Sequence, residues 1–203
     1  MTPFKLAILI SGNGSNLQAI IDKFKDDNSI EISCVISNKK NAYGLKRASN
    51  ANIDNYVIDH TAYQSRQDFE AKIIHILESY QPDLVVLAGF MRILSEVFVN
   101  KYLGQLINIH PSLLPKYKGL DTHKKVLDNN EKYHGVTVHF VDNTLDGGPI
   151  CAQSKMLVET EDIESLEESI HKLEYDIYPR VIYDIAHGKV SLNNGKVIRT
   201  EKI

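Results

Sequence analysis

An α/β fold built on an open, twisted, mostly parallel sheet with helices on both faces is predicted by three features of this chain. Leu6 to Ile10 and Leu84 to Ala88 are apolar without alternation, as strands covered on both faces are, and Ile30 to Ile36 reads as a further strand. Between them lie segments with apolar residues three and four apart, so strands and helices alternate through right-handed crossovers. Turns bearing Gly or Pro follow the carboxyl ends of some of these strands, where ligands bind in such sheets.

In chain order, Leu6 to Ile10 is the first strand and Ser11-Gly12-Asn13-Gly14-Ser15-Asn16 its turn. Leu17, Ile20, Ile21 and Phe24 then share one face of a helix. Ile30 to Ile36 is a second strand, Tyr43 to Asn50 a second helix and Tyr56 to Ile58 a short strand. Phe69, Ile73, Ile74, Ile76 and Leu77 mark a longer helix ending near Tyr80, and Pro82-Asp83 introduce the strand from Leu84. Leu106 to Ile109 is another strand, stopped by Pro111, which cannot donate to a ladder. From residue 134 the rhythm changes: Gly135 to Val141 and Ile150 to Val158 form a hairpin around Asp146-Gly147. Ile163, Leu166, Ile170, Leu173, Ile177, Val181 and Ile185 predict a long helix, kinked at Pro179. Val190 to Ile198 closes the chain as a hairpin around Asn194-Gly195, an antiparallel C-terminal extension. With neither internal repeat nor linker, residues 1–203 read as a single domain.

The formal net charge of −3, without a basic run, argues against a nucleic-acid partner. Cys34 and Cys151 lie far apart in apolar segments, which suits reduced core thiols rather than a disulfide framework or a CxxC site. The N-terminal apolar run from Phe4 to Ile10 is too short for a signal peptide and no run reaches membrane-spanning length, so a cytoplasmic protein is expected. The eight histidines show no HExxH spacing and no GxSxG is present, so neither a metal site nor a serine nucleophile is expected.

The stretch Asn108-Ile109-His110-Pro111-Ser112-Leu113-Leu114-Pro115 carries the strongest chemical signal. Asn108 and His110 are two apart, so on a strand they point to one side and emerge at its carboxyl end. For an arbitrary Asn and His, a satisfied buried pair is the commoner explanation. Gly12-Asn13-Gly14-Ser15-Asn16 opens a helix, where free N–H groups attract an anion. No Lys-Ser/Thr follows and Leu17 replaces a third glycine, so a phosphate monoester fits better than ATP or NAD; a plain capped turn competes. Asp146-Gly147-Gly148-Pro149 is a turn by composition, and its flexible residues also suit close approach of backbone to a planar ligand. His139 sits in the strand before it, where a lone histidine is more often structural. Glu174 falls on the apolar stripe of the long helix, at its edge or aimed into a site, with His171 one turn earlier. Ala88 to Leu94 could line a pocket with Arg92 at its mouth, but spacing alone favours a helix start packed on the core.

Taken in order, Ile10-Ser11-Gly12-Asn13-Gly14-Ser15-Asn16-Leu17, Ala88 to Leu94, Asn108 to Pro115 and Leu145-Asp146-Gly147-Gly148-Pro149 resemble the folate-dependent formyltransferases over nearly the whole chain. The Gly-Asn-Gly-Ser-Asn loop narrows that resemblance to the members acting on glycinamide ribonucleotide in purine biosynthesis. The resemblance implies a Rossmann-like fold and direct transfer of formyl, through a tetrahedral intermediate, from N10 of 10-formyltetrahydrofolate to the glycinamide amine. It implies no metal, no nucleic-acid or membrane partner, and a monomer or homodimer. The N-terminal half would serve the phosphate, and the C-terminal half the folate and the chemistry. By analogy, Gly14, Ser15 and Asn16 hold the ribonucleotide's phosphate, and His171 and Glu174 contact the rest of it. Met91, Arg92, Ile93 and Leu94 flank the folate, with Asn108 beside it, the backbone of Asp142, Asn143, Leu145 and Asp146 on its pterin, and Arg66 facing its acidic tail.

The same analogy makes Asn108, His110 and Asp146 catalytic. Asn108 and a protonated His110 would stabilise the oxyanion. Asp146 would favour the imidazolium and relay a proton from the amine toward N10. A 10-formyltetrahydrofolate hydrolase, with water replacing the amine, is the alternative. The family's His-Thr-His after the glycine is Asp121-Thr122-His123 here, in a segment from Pro111 to about Asn130 expected to act as a lid.

Overall fold

The computed structural model describes residues 2–200. Internal contacts divide the chain into two compact units, Met1–Ile107 and Asn108–Ile203.

In the first unit β1 (Phe4–Ile10) leads into α1 (Ser15–Phe24), β2 (Ile30–Ser37), α2 (Tyr43–Asn50) and β3 (Asn55–Val57). A single 3₁₀ turn (His60–Ala62), α3 (Arg66–Tyr80), β4 (Leu84–Leu87) and α4 (Glu96–Lys101) follow. β1 pairs in parallel with β2 on one side and β4 on the other, and β2 with β3. Leu6 to Ile10 are fully buried, which accounts for the unbroken apolar run. The register slips once, because Leu6 faces Ile32 and Ala7 faces Cys34. The extra residue, Ser33, is buried there and donates its hydroxyl to the Leu6 carbonyl at 2.9 Å. α1 buries Leu17, Ile20, Ile21 and Phe24, the face that their spacing predicts.

Residues 88–95 do not begin a helix, contrary to what spacing alone favoured. The helix starts only at Glu96, with Ser95 as its cap. The Ser95 N–H donates at 2.7 Å to the buried Glu70 carboxylate, which also accepts from the Ser95 hydroxyl. Six residues are too few for a periodic signal, so α4 has no sequence signature of its own.

β5 (Leu106–His110) crosses the boundary between the units. The second unit continues with α5 (Thr122–Asp128), β6 (Tyr133–Phe140), β7 (Ile150–Leu157), α6 (Ile163–Ala186), β8 (Val190–Asn193) and β9 (Lys196–Arg199). β6 and β7 are antiparallel, with one irregularity between Val138 and His139. α6 runs for 24 residues through Pro179 and buries Leu166, Ile170, Glu174, Ile177, Val181 and Ile182. β8 and β9 form their own antiparallel hairpin, with Asn194 and Gly195 at positive φ in its turn.

Seven strands are hydrogen-bonded in the order β3-β2-β1-β4-β5-β6-β7. The order reverses between β1 and β4, both in the first unit, and the turns leaving these two strands flank the crevice that such a reversal creates.

Candidate active site

In the first unit the two turns at the reversal are tied together. Ser11, buried at the end of β1, donates its hydroxyl to Asn38 Oδ1 at 2.6 Å and accepts from the Met91 N–H at 2.8 Å. Gly14 caps α1 at φ 73° and carries no side chain to cover the first-turn N–H groups, whose dipole end attracts an anion. A Cβ on Gly14 would lie 2.6 Å from the Gly44 Cα, so glycine is required there for space as well as for φ. Arg47 clamps the loop from α2: its Nε donates to the Asn13 carbonyl at 2.9 Å and a terminal nitrogen to Asn13 Oδ1 at 2.8 Å. Its other terminal nitrogen reaches Gln18 at 3.1 Å, and its plane lies over the Tyr43 ring. Ser15 and Asn16 open the helix beside Gly14. After β4, Met91 and Ile93 are exposed at 65% and 67%, apolar side chains left to a ligand or to solvent, with Arg92 between them and Leu94 half-buried. Arg66 is exposed in the first turn of α3.

In the second unit, Asn108 and His110 stand at the end of β5, with His110 buried. His110 Nδ1 lies 3.5 Å from Asp146 Oδ2, and its Nε2 donates to the Tyr117 carbonyl at 2.9 Å. Each ring nitrogen thus faces an acceptor oxygen. Asp146 also accepts from the Gly119 N–H at 2.8 Å, and sits at φ 44°, which Asp tolerates better than most residues. The turn around it cannot be looser. A Cβ on Gly148 would come within 2.0 Å of the Phe140 carbonyl oxygen, beside the 2.9 Å bond from the Phe140 N–H to the Pro149 carbonyl. Asp142 accepts from the Thr144 N–H and hydroxyl at 2.8 and 2.5 Å, and Asn143 and Leu145 are exposed. On α6, Glu174 is buried rather than at the edge of the stripe, and His171 stacks on Tyr175.

Two further histidines pack in this unit, with His123 Nδ1 3.0 Å from His134 Nε2. Burial lowers both pKa values, that of His134 to about 4, with the neighbouring imidazoles adding to the effect. A cavity of about 340 Å³ is lined by Leu113, Tyr117, Val126, Tyr133 and His134 among others, and by none of Asn108, His110 and Asp146. Among the described residues no group of three or more His, Cys, Asp or Glu is placed to hold a metal ion. No helix among them is long and apolar enough to cross a membrane.

Residues 4–182 match the formyl transferase family pattern. The chain belongs to the formyl transferase family. It is 48% identical over 191 residues to the phosphoribosylglycinamide formyltransferase of Escherichia coli K12, covering 93% of this chain and 90% of that one. The solved phosphoribosylglycinamide formyltransferase of Coxiella burnetii superposes with a TM-score of 0.93 at 47% identity, over 97% and 93% of the two chains. Glycinamide ribonucleotide transformylase 1 of Symbiobacterium toebii superposes with a TM-score of 0.94 at 37% identity, over 98% and 95%.

In this formyl transferase three groups escaped sequence reasoning: Arg47, Ser11 and Glu70. Arg47 binds a residue 34 positions away, and Ser11 one 80 away, distances at which no local pattern signals a contact. Asp121, where the resemblance departs, is the N-terminal cap of α5 at φ 58°.

Proposed function

We propose that this formyl transferase moves the formyl group from N10 of 10-formyltetrahydrofolate to the amine of 5-phosphoribosylglycinamide in de novo purine biosynthesis, as a cytoplasmic enzyme. The observation that carries the reading is the α1 start, an anion-attracting helix end with Gly14 as its cap and Arg47 bracing its loop. A hydrolase of the folate would need no phosphorylated second substrate.

Gly14, Ser15 and Asn16 receive the phosphate, and His171 and Glu174 the remainder of the ribonucleotide. Arg66 meets the folate's carboxylates, and exposed Met91 and Ile93, with Arg92 and Leu94, flank the folate. The turn from Asp142 to Asp146 offers backbone groups to the pterin. The folate supplies the formyl group. Asn108 donates a hydrogen bond to the oxygen on which charge develops as the amine attacks. His110 presents its charged ring to the same oxygen, and Asp146 beside it relays the amine's proton toward N10, so that the tetrahedral intermediate collapses with the formyl carbon–N10 bond breaking and tetrahydrofolate leaving with that proton.

Deformylation of a 10-formyl folate analogue, followed spectrophotometrically with and without glycinamide ribonucleotide, tests the reading. Turnover only with the ribonucleotide supports it; equal turnover without it turns the assignment to the hydrolase.

A further inference from the structure

A carboxamide has two ends of nearly equal shape, one donating and one accepting. If Asn108 stabilises an oxyanion, its amide must be held the right way round. The structure shows what holds it. His139, on β6, is buried at 2% exposure, and its Nδ1 lies 2.9 Å from the Phe140 carbonyl oxygen. A carbonyl only accepts, so Nδ1 carries the ring's proton and Nε2 of the neutral ring is left with a lone pair. Nε2 is 3.3 Å from Asn108 Nδ2, which donates to it. Turned round, the amide would set Oδ1 against that lone pair, acceptor against acceptor. The backbone bond at Phe140 thus selects the tautomer, and the tautomer selects the amide orientation.

We propose that His139 is a positioning residue for formyl transfer: it holds the Asn108 carboxamide with one Nδ2 hydrogen bound and the other, fixed in the same plane, available to the developing oxyanion. The proposal rests on the role given to Asn108 above. Burial keeps the His139 pKa below its ordinary value; His110 adds to this, while the Phe140 carbonyl and the charges of Asp146 and Asp142 oppose it. The ring therefore stays neutral near pH 7, as the acceptor role of Nε2 demands. A charged ring would bring a second donor against the Asn108 amide.

The test compares kcat and KM for His139→Leu, His139→Gln, Asn108→Ala and the double variant His139→Leu/Asn108→Ala, each checked for folding by circular dichroism. His139→Leu removes the acceptor and is expected to lower kcat roughly 10- to 100-fold, part of the cost of losing an oxyanion donor, with both KM values little changed. His139→Gln retains an oxygen that can accept from Asn108, and should recover most of kcat. In the Asn108→Ala background, His139→Leu should cost almost nothing more, because His139 acts through Asn108. Nitrogen-15 NMR of the wild-type enzyme at neutral pH should show Nδ1 protonated and Nε2 bare. Should Asn108→Ala cripple turnover while His139→Leu leaves it intact, or should the two losses multiply, His139 has no positioning role. A protonated Nε2 overturns the proposal even if His139→Leu fails to fold. Full turnover by Asn108→Ala removes the role of Asn108 itself, and the proposal with it.

Discussion

At the scale of single residues, the proposed chemistry rests on groups whose charge is managed by immediate neighbours. His110 faces Asp146 at 3.5 Å, so His110→Ala and Asp146→Asn should each lower kcat by about 10²- to 10³-fold, with smaller changes in KM. Steady-state kinetics decide it; unchanged turnover in either variant would remove that residue from the chemistry. Arg47 makes a different prediction, because it braces the loop through Asn13 rather than meeting the reacting atoms. Arg47→Ala should raise KM for the ribonucleotide roughly tenfold, the worth of about 1.4 kcal/mol, and leave kcat within a few-fold. For Asn108 and His110 a strand's period of two says only that they share a side, and it is the family resemblance of the surrounding motif that singles them out. Arg47 was not legible in sequence, because its partner lies 34 residues back along the chain.

At the scale of elements, turns decide where the functional groups point. Gly148 is fixed by the carbonyl of Phe140, a backbone atom that cannot swing aside as a side chain can. Gly148→Ala should destabilise the protein by about 1–3 kcal/mol, as overpacking does, and slow turnover by displacing Asp146 two residues earlier. Urea unfolding read beside kcat tests this, and a variant as stable and as fast as wild type would refute it. The Asp-Gly-Gly-Pro string marked this turn in sequence, but why glycine is needed at the second position appears only when Phe140 is placed against it. The stretch from residue 88 to 95 shows the converse. Its apolar spacing resembled a helix start, yet the helix waits for Ser95, whose N–H is received by Glu70 from another helix.

At the scale of the whole molecule, burial sets the response to pH and to thiol reagents. His134 has its pKa pushed down to about 4 by burial, with His123 and His110 adding to the shift. Its unfolded counterpart titrates near 6.5, so between these values the unfolded chain binds more protons. Stability contributed by the neutral ring is therefore complete above about pH 6.5 and is lost as pH falls toward 4, amounting to a few kcal/mol at 1.36 kcal/mol per unit. His123 and His139 are shifted the same way, so the wild-type loss exceeds that of one group. Chemical denaturation across this range should show the decline, and His134→Gln should flatten it; an equal slope in the variant would refute the assignment. Cys34 and Cys151 are both buried, and burial raises their thiol pKa values to about 12. Native protein at pH 8 should leave an aromatic disulfide reagent unconsumed, and both thiols should react on unfolding. Rapid reaction of folded protein would contradict the burial.

The sequence by itself determined the parallel strands, the faces of the longer helices, the two hairpins and the string of motifs, because these depend on periodicity and turn chemistry within a few residues. Tertiary structure alone decided which side of its stripe Glu174 takes, what steadies the Gly-Asn-Gly loop, and which nitrogen of His139 carries the proton. Each of those depends on a donor meeting an acceptor, or on a side chain losing its solvent. A linear pattern names the groups able to do so, but only the folded chain brings the particular partners to within 3 Å or so of each other.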